Sequence, residues 1–121
     1  MTFRSTPESP IDAISRGVPL FQRVAIIGLG LIGGSVGLAC RARRLAKEVR
    51  GADQDPDHCT QALALGLVDL AFPDAVAAVQ GADMVVLAVP VGAIPSTIER
   101  IAHHLAPGAV VTDVGSVKGS I

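Results

Sequence analysis

The sequence predicts an α/β fold built on a doubly wound parallel sheet of about five strands. Two observations favour this class. Uninterrupted apolar runs at 24–27 and 84–89 are typical of strands that are buried on both faces. Segments with helical periodicity alternate with the predicted strands through short connections, which is the pattern of a parallel sheet covered by helices on both sides.

Composition favours a single domain with an aliphatic core. The chain has 121 residues, of which 50% are hydrophobic but only 2% aromatic. The shortage of aromatic rings argues against binding of single-stranded nucleic acid, which relies on stacking. The net charge of −1 and the lack of a long apolar run indicate neither a nucleic-acid nor a membrane partner. Cys40 and Cys59 are expected to be buried free thiols, which suits a reducing cytoplasm.

The chain is expected to divide into an arm and a domain. Residues 1–22 carry several prolines and serines, and we expect a flexible N-terminal arm there. Residues 23–121 are expected to form the domain. A doubly wound sheet commonly has a sixth strand, so we expect this domain to be incomplete and a substrate-binding domain to be absent.

The first half of the domain contains three predicted strands and two predicted helices. The strands are expected at 24–27, 48–53 and 67–71. The first helix is expected over 31–44, with an inner face at helical spacing that consists of Ile32, Val36, Ala39 and Cys40. The second helix begins at Pro56 after the N-cap Asp55, and Gly66 is its expected C-cap.

The second half repeats the alternation. Asp74 is the expected N-cap of a short helix that Gly81 ends, and strands are expected at 84–89 and 109–112. Between these strands, a helix is predicted over 94–105. Its apolar stripe consists of Ile94, Ile98, Ile101 and Leu105.

A glycine motif, Gly28-x-Gly30-x-x-Gly33, separates the first strand from the first helix. Gly28 permits a tight turn, Gly30 lets the backbone approach a ligand, and Gly33 lets the helix pack closely. The first N–H groups of the helix, at Leu31 and Ile32, can then face an anion. A glycine-rich turn without a ligand is the alternative. The strand–turn–helix order favours a site for the pyrophosphate of a dinucleotide, as in Rossmann domains.

Asp53 lies 20 residues after Gly33, at the end of the second predicted strand. A carboxylate there can accept hydrogen bonds from both hydroxyls of the adenosine ribose, and it repels a 2′-phosphate. Neither Gln54 nor Asp55 supplies a cation that would offset this repulsion. The sequence therefore favours NAD over NADP as the cofactor, with a simple turn residue as the alternative for Asp53.

Val89 and Pro90 lie at the end of the fourth predicted strand, and Ser116 follows the fifth. Because the carboxyl ends of parallel strands meet at one edge, these residues are expected to line one crevice with the glycine turn and Asp53. Val89 and Pro90 would face the cofactor, although Pro90 could merely end its strand. Ser116 could bond a substrate hydroxyl or steer a base, although it could equally cap a helix.

No metal site is expected. The histidines are His58, His103 and His104, and none of them follows a strand end. All three are interpreted as surface residues, and neither they nor the cysteines have the spacing of metal ligands.

With these residues in view, the chain resembles the amino-terminal domain of prephenate/arogenate dehydrogenases over roughly residues 23–119. The matching segments are residues 28–35, 51–53, 64–69, 82–91 and 112–118. The first segment is shared with many dehydrogenases. The last, Thr-Asp-Val-Gly-Ser-Val-Lys, is much more specific to this family.

The resemblance implies an NAD(P)-dependent oxidative decarboxylation of prephenate or arogenate in tyrosine biosynthesis. In that reaction a base removes the proton of the ring hydroxyl, hydride passes to the nicotinamide, and carbon dioxide leaves as the ring becomes aromatic. Ser116 is the residue that the resemblance implies to hold the substrate hydroxyl near a catalytic histidine. That histidine and the substrate-binding arginine of the family lie beyond the matching segments, so we expect this chain alone to bind NAD without turnover.

Two other functions stay open from the sequence. A regulatory NAD-binding module would have about this length, but it gives no reason for Val-Pro-Val at 89–91 or Gly-Ser-Val-Lys at 115–118. Another hydroxyacid dehydrogenase would carry a different loop at 113–119. In either case an incomplete sheet leaves strand edges and apolar faces uncovered, so a homo-oligomer is expected.

Overall fold

The computed structural model describes residues 19–114. Within this range the strands are β1 (Phe21–Ile27), β2 (Ala46–Ala52), β3 (Leu70–Phe72), β4 (Met84–Leu87) and β5 (Val110–Asp113). The helices are α1 (Leu31–Ala42), α2 (Pro56–Ala64), α3 (Ala75–Val79) and α4 (Ile94–Ile101), with short 3-10 turns at Val91–Ala93 and Ala102–His104. The first 18 residues of the expected arm, Ser116 and Lys118 lie outside the described residues.

The strands form one parallel sheet in the order β3-β2-β1-β4-β5. β1 pairs with β2 through Val24 and Val49, and with β4 through Val24 and Met84. The chain therefore adds strands to one side of β1 and then crosses to the other side. Such a reversal opens a crevice at the carboxyl ends of the strands, and the predicted doubly wound α/β class is confirmed.

Side chains of the sheet point alternately toward two helical layers. Those that pack with α3 and α4 include Ala25, Ile27, Val85 and Leu87, whereas those that pack with α1 and α2 include Val24, Ile26, Val49 and Val86. Within residues 19–114 no polar or charged residue is buried. The core is therefore aliphatic on both sides of the sheet, as the composition predicted.

The inner face of α1 differs from the prediction. Its buried residues are Gly33, Gly34, Gly37 and Cys40, whereas Ile32 and Ala39 are exposed. A Cβ atom at Gly37 would overlap the backbone carbonyl oxygen of Leu67. The helix therefore approaches its neighbour backbone to backbone, and a hydrophobicity pattern misses this face because glycine has no side chain to count.

Several other bounds differ from the sequence prediction: β1 begins at Phe21, β2 covers Ala46–Ala52, and β4 ends at Leu87. α1 ends before Arg44, which adopts a left-handed φ of 53° and lets the N–H of Leu45 donate to the carbonyl of Cys40. β3 is shorter and later than predicted, and α4 gives way to a 3-10 turn after Ile101. Within the described range, no helix has both the length and the apolar character needed to cross a membrane.

Candidate functional site

A cavity of about 550 Å³ lies where the carboxyl ends of β1, β2 and β4 meet. Five of the residues that were predicted from the sequence to bind a cofactor line it: Gly28, Gly30, Asp53, Val89 and Pro90. Its volume is in the range of cofactor and ligand pockets. The topology therefore brings the residues of three separate strand ends into one crevice, as expected.

The glycine turn is fixed by its neighbours on both sides. Gly28 has a φ of +103°, and its N–H donates to the carbonyl of Ala52 over 2.7 Å. A Cβ atom at Gly28 would lie 2.6 Å from the carbonyl oxygen of Ala88. Both the backbone conformation and the close approach to the chain after β4 therefore require glycine here.

Helix α1 begins at the cavity without a side-chain cap. Its N-cap is Gly30, no side-chain hydrogen bond reaches that cap, and the first turn has no acidic residue. The N–H groups of the first turn are thus the unpaired donors that every helix start leaves, and they carry the positive end of the helix dipole. Leu31 and Ile32 begin this turn with exposed side chains, Leu31 to 89%.

Gly30 and Gly33 have opposite surroundings. A Cβ atom at Gly33 would overlap the carbonyl oxygen of Gly28, whereas a Cβ atom at Gly30 would meet nothing within 4 Å. Gly33 therefore holds the turn against the helix, as predicted. The space in front of Gly30 is open on the side of the cavity that Gly30 lines.

Asp53 follows β2 and is tied to the glycine turn. Its Oδ2 accepts a hydrogen bond from the N–H of Leu29 over 2.7 Å, and its Oδ1 accepts one from the N–H of Asp55 over 2.8 Å. Burial by itself raises the pKa of Asp53, but these two bonds and the contact with His58 outweigh it and lower the pKa. Asp53 is therefore an ionised acceptor at neutral pH.

His58 belongs to the site, contrary to its interpretation as a plain surface residue. Its Nδ1 lies 3.0 Å from Oδ2 of Asp53, its Nε2 lies 3.6 Å from Oδ2 of Asp55, and it lines the cavity. The hydrogen bond with Asp53 raises the pKa of His58. His58 could have been identified from its position one turn into α2. Its helix begins at the N-cap Asp55, just after the end of β2, so its first turn lies near that strand end.

The opposite wall comes from the chain after β4. Val89 and Pro90 line the cavity there, and the N–H of Ala88 donates to the carbonyl of Ile27 over 2.8 Å. Ser96, Thr97 and Arg100 of α4 complete this wall and were not predicted. The side chain of Arg100 forms no hydrogen bond or ion pair with any residue of the described range. Sequence analysis found no signal for these residues because only the packing of α4 brings them to the cavity.

Other predicted features lie apart from the cavity. His103 and His104 are exposed on the 3-10 turn after α4. Cys40 and Cys59 are free thiols; Cys40 is buried, as expected, whereas Cys59 is only half-buried, contrary to the prediction. Among residues 19–114 no group of three or more His, Cys, Asp or Glu side chains is arranged so that it could hold a metal ion.

The parallel sheet, the glycine turn and the uncapped helix beside it define a nucleotide-binding domain of the Rossmann type, a class found in dehydrogenases. The family model described as "Prephenate dehydrogenase, nucleotide-binding domain" matches residues 36–121. The chain therefore belongs to the prephenate dehydrogenase family and contains its nucleotide-binding domain. This membership decides against the other hydroxyacid dehydrogenases that the sequence had left open.

Individual relatives agree with the family model. The chain is 33% identical to the prephenate dehydrogenase of Bacillus subtilis over 99 residues, which are 81% of this chain and 27% of that protein. Its structure is similar to that of Synechocystis arogenate dehydrogenase, with a TM-score of 0.71, 35% identity and coverage of 77% of this chain and 32% of that one.

A third relative was solved with a bound nucleotide. The structure of prephenate dehydrogenase from A. aeolicus, in complex with hydroxyphenyl propionate and NAD+, matches with a TM-score of 0.71 and 30% identity. The match covers 76% of this chain and 32% of that one. The chain thus spans about a third of the length of the relatives that it matches.

Proposed function

We propose that this chain binds NAD, in preference to NADP, as the cofactor domain of an enzyme that oxidatively decarboxylates prephenate or arogenate. The observation that carries the proposal is the position of Asp53. Its carboxylate is bonded to the turn at Leu29 and lines the same cavity as Gly28 and Gly30. This is where a carboxylate can accept hydrogen bonds from an adenosine ribose.

The residues of the cavity fit the parts of a dinucleotide. The pyrophosphate would lie against the open space at Gly30 and accept hydrogen bonds from the first N–H groups of α1, at Leu31, Ile32 and Gly33. The adenosine ribose would face Asp53. Val89 and Pro90 would form the wall on the side of β4.

Charge supports the preference for NAD. A 2′-phosphate beside Asp53 would meet a carboxylate whose pKa is lowered and which is therefore ionised. Asp55 lies next to it, with its side chain 49% exposed. Arg100 lines the cavity but forms no ion pair with Asp53, whose basic contact among the described residues is His58, charged only when protonated.

The reaction itself needs more than the described cavity. NAD, when bound, accepts a hydride from the substrate, and the chain supplies the fixed donors and the acceptor that orient it. Ser116 is proposed to hold the substrate hydroxyl, on the strength of the family motif that it belongs to; it lies outside the described residues. Because a general base typically contributes on the order of 10²–10⁴ in rate, this chain alone is proposed to bind cofactor without turnover.

Calorimetric titration with NAD and with NADP tests the cofactor. The wild-type chain is expected to bind NAD more tightly. Asp53→Asn is expected to weaken NAD binding about tenfold, as the loss of one charged hydrogen-bond acceptor does, and to narrow the preference over NADP. Asp57→Asn is the matched control, since it removes the same charge from the exposed first turn of α2, outside the cavity lining.

The outcome separates the parts of the proposal. No uptake of either nucleotide at millimolar concentration would overturn NAD binding. Equal effects of the two asparagine variants would show that general charge, and not Asp53, sets the preference. Reduction of NAD by the isolated chain with prephenate or arogenate would contradict the proposed lack of turnover.

The cellular compartment is proposed from the thiols, and the oligomeric state from the exposed edge of the sheet. The free thiols Cys40 and Cys59 suit a reducing cytoplasm. Among the described strands β5 lies at one edge of the sheet, and Val110 and Val111 are 50% and 37% exposed there. Such an edge favours pairing with another copy, so we propose a homo-oligomer. Light scattering at high concentration tests this, and a clean monomer would contradict it.

A further inference from the structure

Most of the hydrogen-bond acceptor positions of the Asp53 carboxylate are already occupied within the protein. A carboxylate offers about four lone-pair positions. Oδ1 accepts from the N–H of Asp55, while Oδ2 accepts from the N–H of Leu29 and lies 3.0 Å from Nδ1 of His58. About one acceptor position therefore remains, on Oδ1.

A ribose diol bound by both of its hydroxyls requires two acceptor positions. The two backbone donors are held in place by the glycine turn and by the start of α2. The side chain of His58 is 42% exposed and is the one donor of the three that can rotate away. We propose that His58 and the adenosine ribose of NAD compete for Oδ2 of Asp53, so that binding of NAD displaces the imidazole and protonation of His58 opposes binding.

The charged groups around His58 determine whether its protonated form is favoured. Asp53 and Asp55 contact the imidazole at 3.0 and 3.6 Å, and Asp57 lies beside it on α2; all three favour the protonated ring. The neighbouring thiol of Cys59 lies 3.4 Å from the carbonyl oxygen of Asp53, and burial raises its pKa, so it stays neutral. Desolvation of the imidazole opposes its protonation, but the contacts with the carboxylates outweigh it; Arg100 is a cation that lines the same cavity.

The effect on affinity is confined to a pH window. In the free chain the hydrogen bond with Asp53 raises the pKa of His58. Displacement removes that bond, so the pKa returns toward the ordinary value of about 6.5. Between these two values NAD binding expels a proton, and affinity falls as the pH falls. Above the window the ring is neutral in both states, and below it the ring is charged in both.

The inference rests on the proposed function, and calorimetry of the full chain with NAD tests it between about pH 5.5 and 8.5, a range that spans the ordinary histidine pKa. The dissociation constant of the wild type is expected to be about two- to fivefold higher at the acid end, the range expected of a half-exposed ion pair. Buffers of different ionisation enthalpy are expected to reveal net proton release within the window.

Two variants isolate His58. His58→Ala is expected to bind NAD at least as tightly as the wild type at the acid end and to lose the pH dependence. His103→Ala is the matched control because it removes an exposed histidine that does not line the cavity, and it is expected to keep the wild-type profile. Histidine proton resonances give a second measurement, since the pKa of His58 is expected to fall when NAD is added.

The outcomes distinguish a failure of the proposed competition between His58 and the ribose from a failure of the proposed NAD binding. A pH profile shared by the wild type and His58→Ala would overturn the competition alone. So would weaker binding of His58→Ala at every pH, because it would make His58 a ligand of NAD. Failure of all chains to bind NAD at any pH would overturn the proposed function, and the inference with it.

Discussion

The carboxylate of Asp53 accepts a hydrogen bond from the backbone N–H of Leu29 over 2.7 Å, so the end of β2 is joined to the turn after β1. The same carboxylate accepts from the N–H of Asp55 at the start of the next helix. A residue that was singled out from the sequence as a ligand for ribose is therefore also part of the scaffold. Variants at this position have to be evaluated for both roles.

Asp53→Asn is expected to destabilise the fold by about 1–2 kcal/mol near neutral pH, because two backbone donors lose a charged acceptor. The pKa of Asp53 is lowered in the folded chain: burial raises it, but the bonds from Asp55, Leu29 and His58 outweigh burial. Stabilisation by a lowered carboxyl pKa is present above the unfolded value of about 3.9 and is lost as the pH falls through the folded value. Urea unfolding at several pH values is therefore expected to show that the difference in unfolding free energy between Asp53→Asn and the wild type becomes smaller at acid pH.

Asp57→Asn serves as the control for that series. Asp57 lies in the exposed first turn of α2 and accepts no side-chain hydrogen bond from the described residues. Its substitution is expected to change the unfolding free energy by less than about 0.5 kcal/mol. A loss of stability in Asp53→Asn that does not depend on pH would contradict the assignment to an ionised carboxylate.

Gly33→Ala and Gly30→Ala are expected to affect different properties: the first lowers the stability of the fold, and the second weakens NAD binding. A methyl group at Gly33 overlaps the carbonyl oxygen of Gly28, so the turn or the helix must shift at a cost of about 1–3 kcal/mol or more. Gly30 has an extended backbone and open space at its Cβ position, so Gly30→Ala is expected to unfold like the wild type. If the pyrophosphate lies there, Gly30→Ala weakens NAD binding all the same. Thermal unfolding and calorimetry together test the pair, and equal stabilities of the two variants would contradict the geometry.

Ile101→Ala and Ile98→Ala test which residues of α4 form the core. Ile101 is fully buried between α4 and the sheet, whereas Ile98 is 43% exposed, although the sequence placed both on one apolar stripe. Removing a buried isoleucine side chain is expected to cost about 2–5 kcal/mol. The change at Ile98 is expected to stay well below that figure. Chemical denaturation measures both, and a larger loss at Ile98 would argue against the observed packing of α4.

Asp83→Ala is expected to loosen the start of the central strand. The two carboxylate oxygens of Asp83 accept hydrogen bonds from the N–H groups of Gln22 and Arg23, each over 2.9 Å. Loss of these bonds is expected to cost about 1–3 kcal/mol. Hydrogen exchange at Gln22 and Arg23 is expected to accelerate, while Glu99→Ala on exposed α4 is expected to leave it unchanged. Unaltered exchange in Asp83→Ala would contradict the observed contacts.

Strands were the most predictable elements of this chain. The apolar runs that contain Val24 and Val85 identify β1 and β4, because strands covered by helices on both faces must be apolar on both. β3 was harder to place, since three residues at the rim of the sheet carry little pattern. The inner face of α1 could not be predicted from hydrophobicity, because the residues that pack there are mainly glycines.

The candidate site was predictable as far as it follows strand ends. Gly28, Asp53 and Pro90 were found because each lies at or just after the end of a predicted strand, and the carboxyl ends of parallel strands converge. His58 and Arg100 could not be found in this way. They reach the cavity from helices, and their distance from it depends on how those helices are seated on the sheet.

The central position of β1 has a consequence for synthesis on the ribosome. Both of its neighbours, β2 and β4, come later in the chain, and Val24 meets Met84 only across the whole intervening segment. A nascent chain that ends before residue 84 therefore holds its central strand with one edge open. Such distant pairings slow folding and prolong exposure to aggregation, so we expect this protein to complete its sheet late in translation.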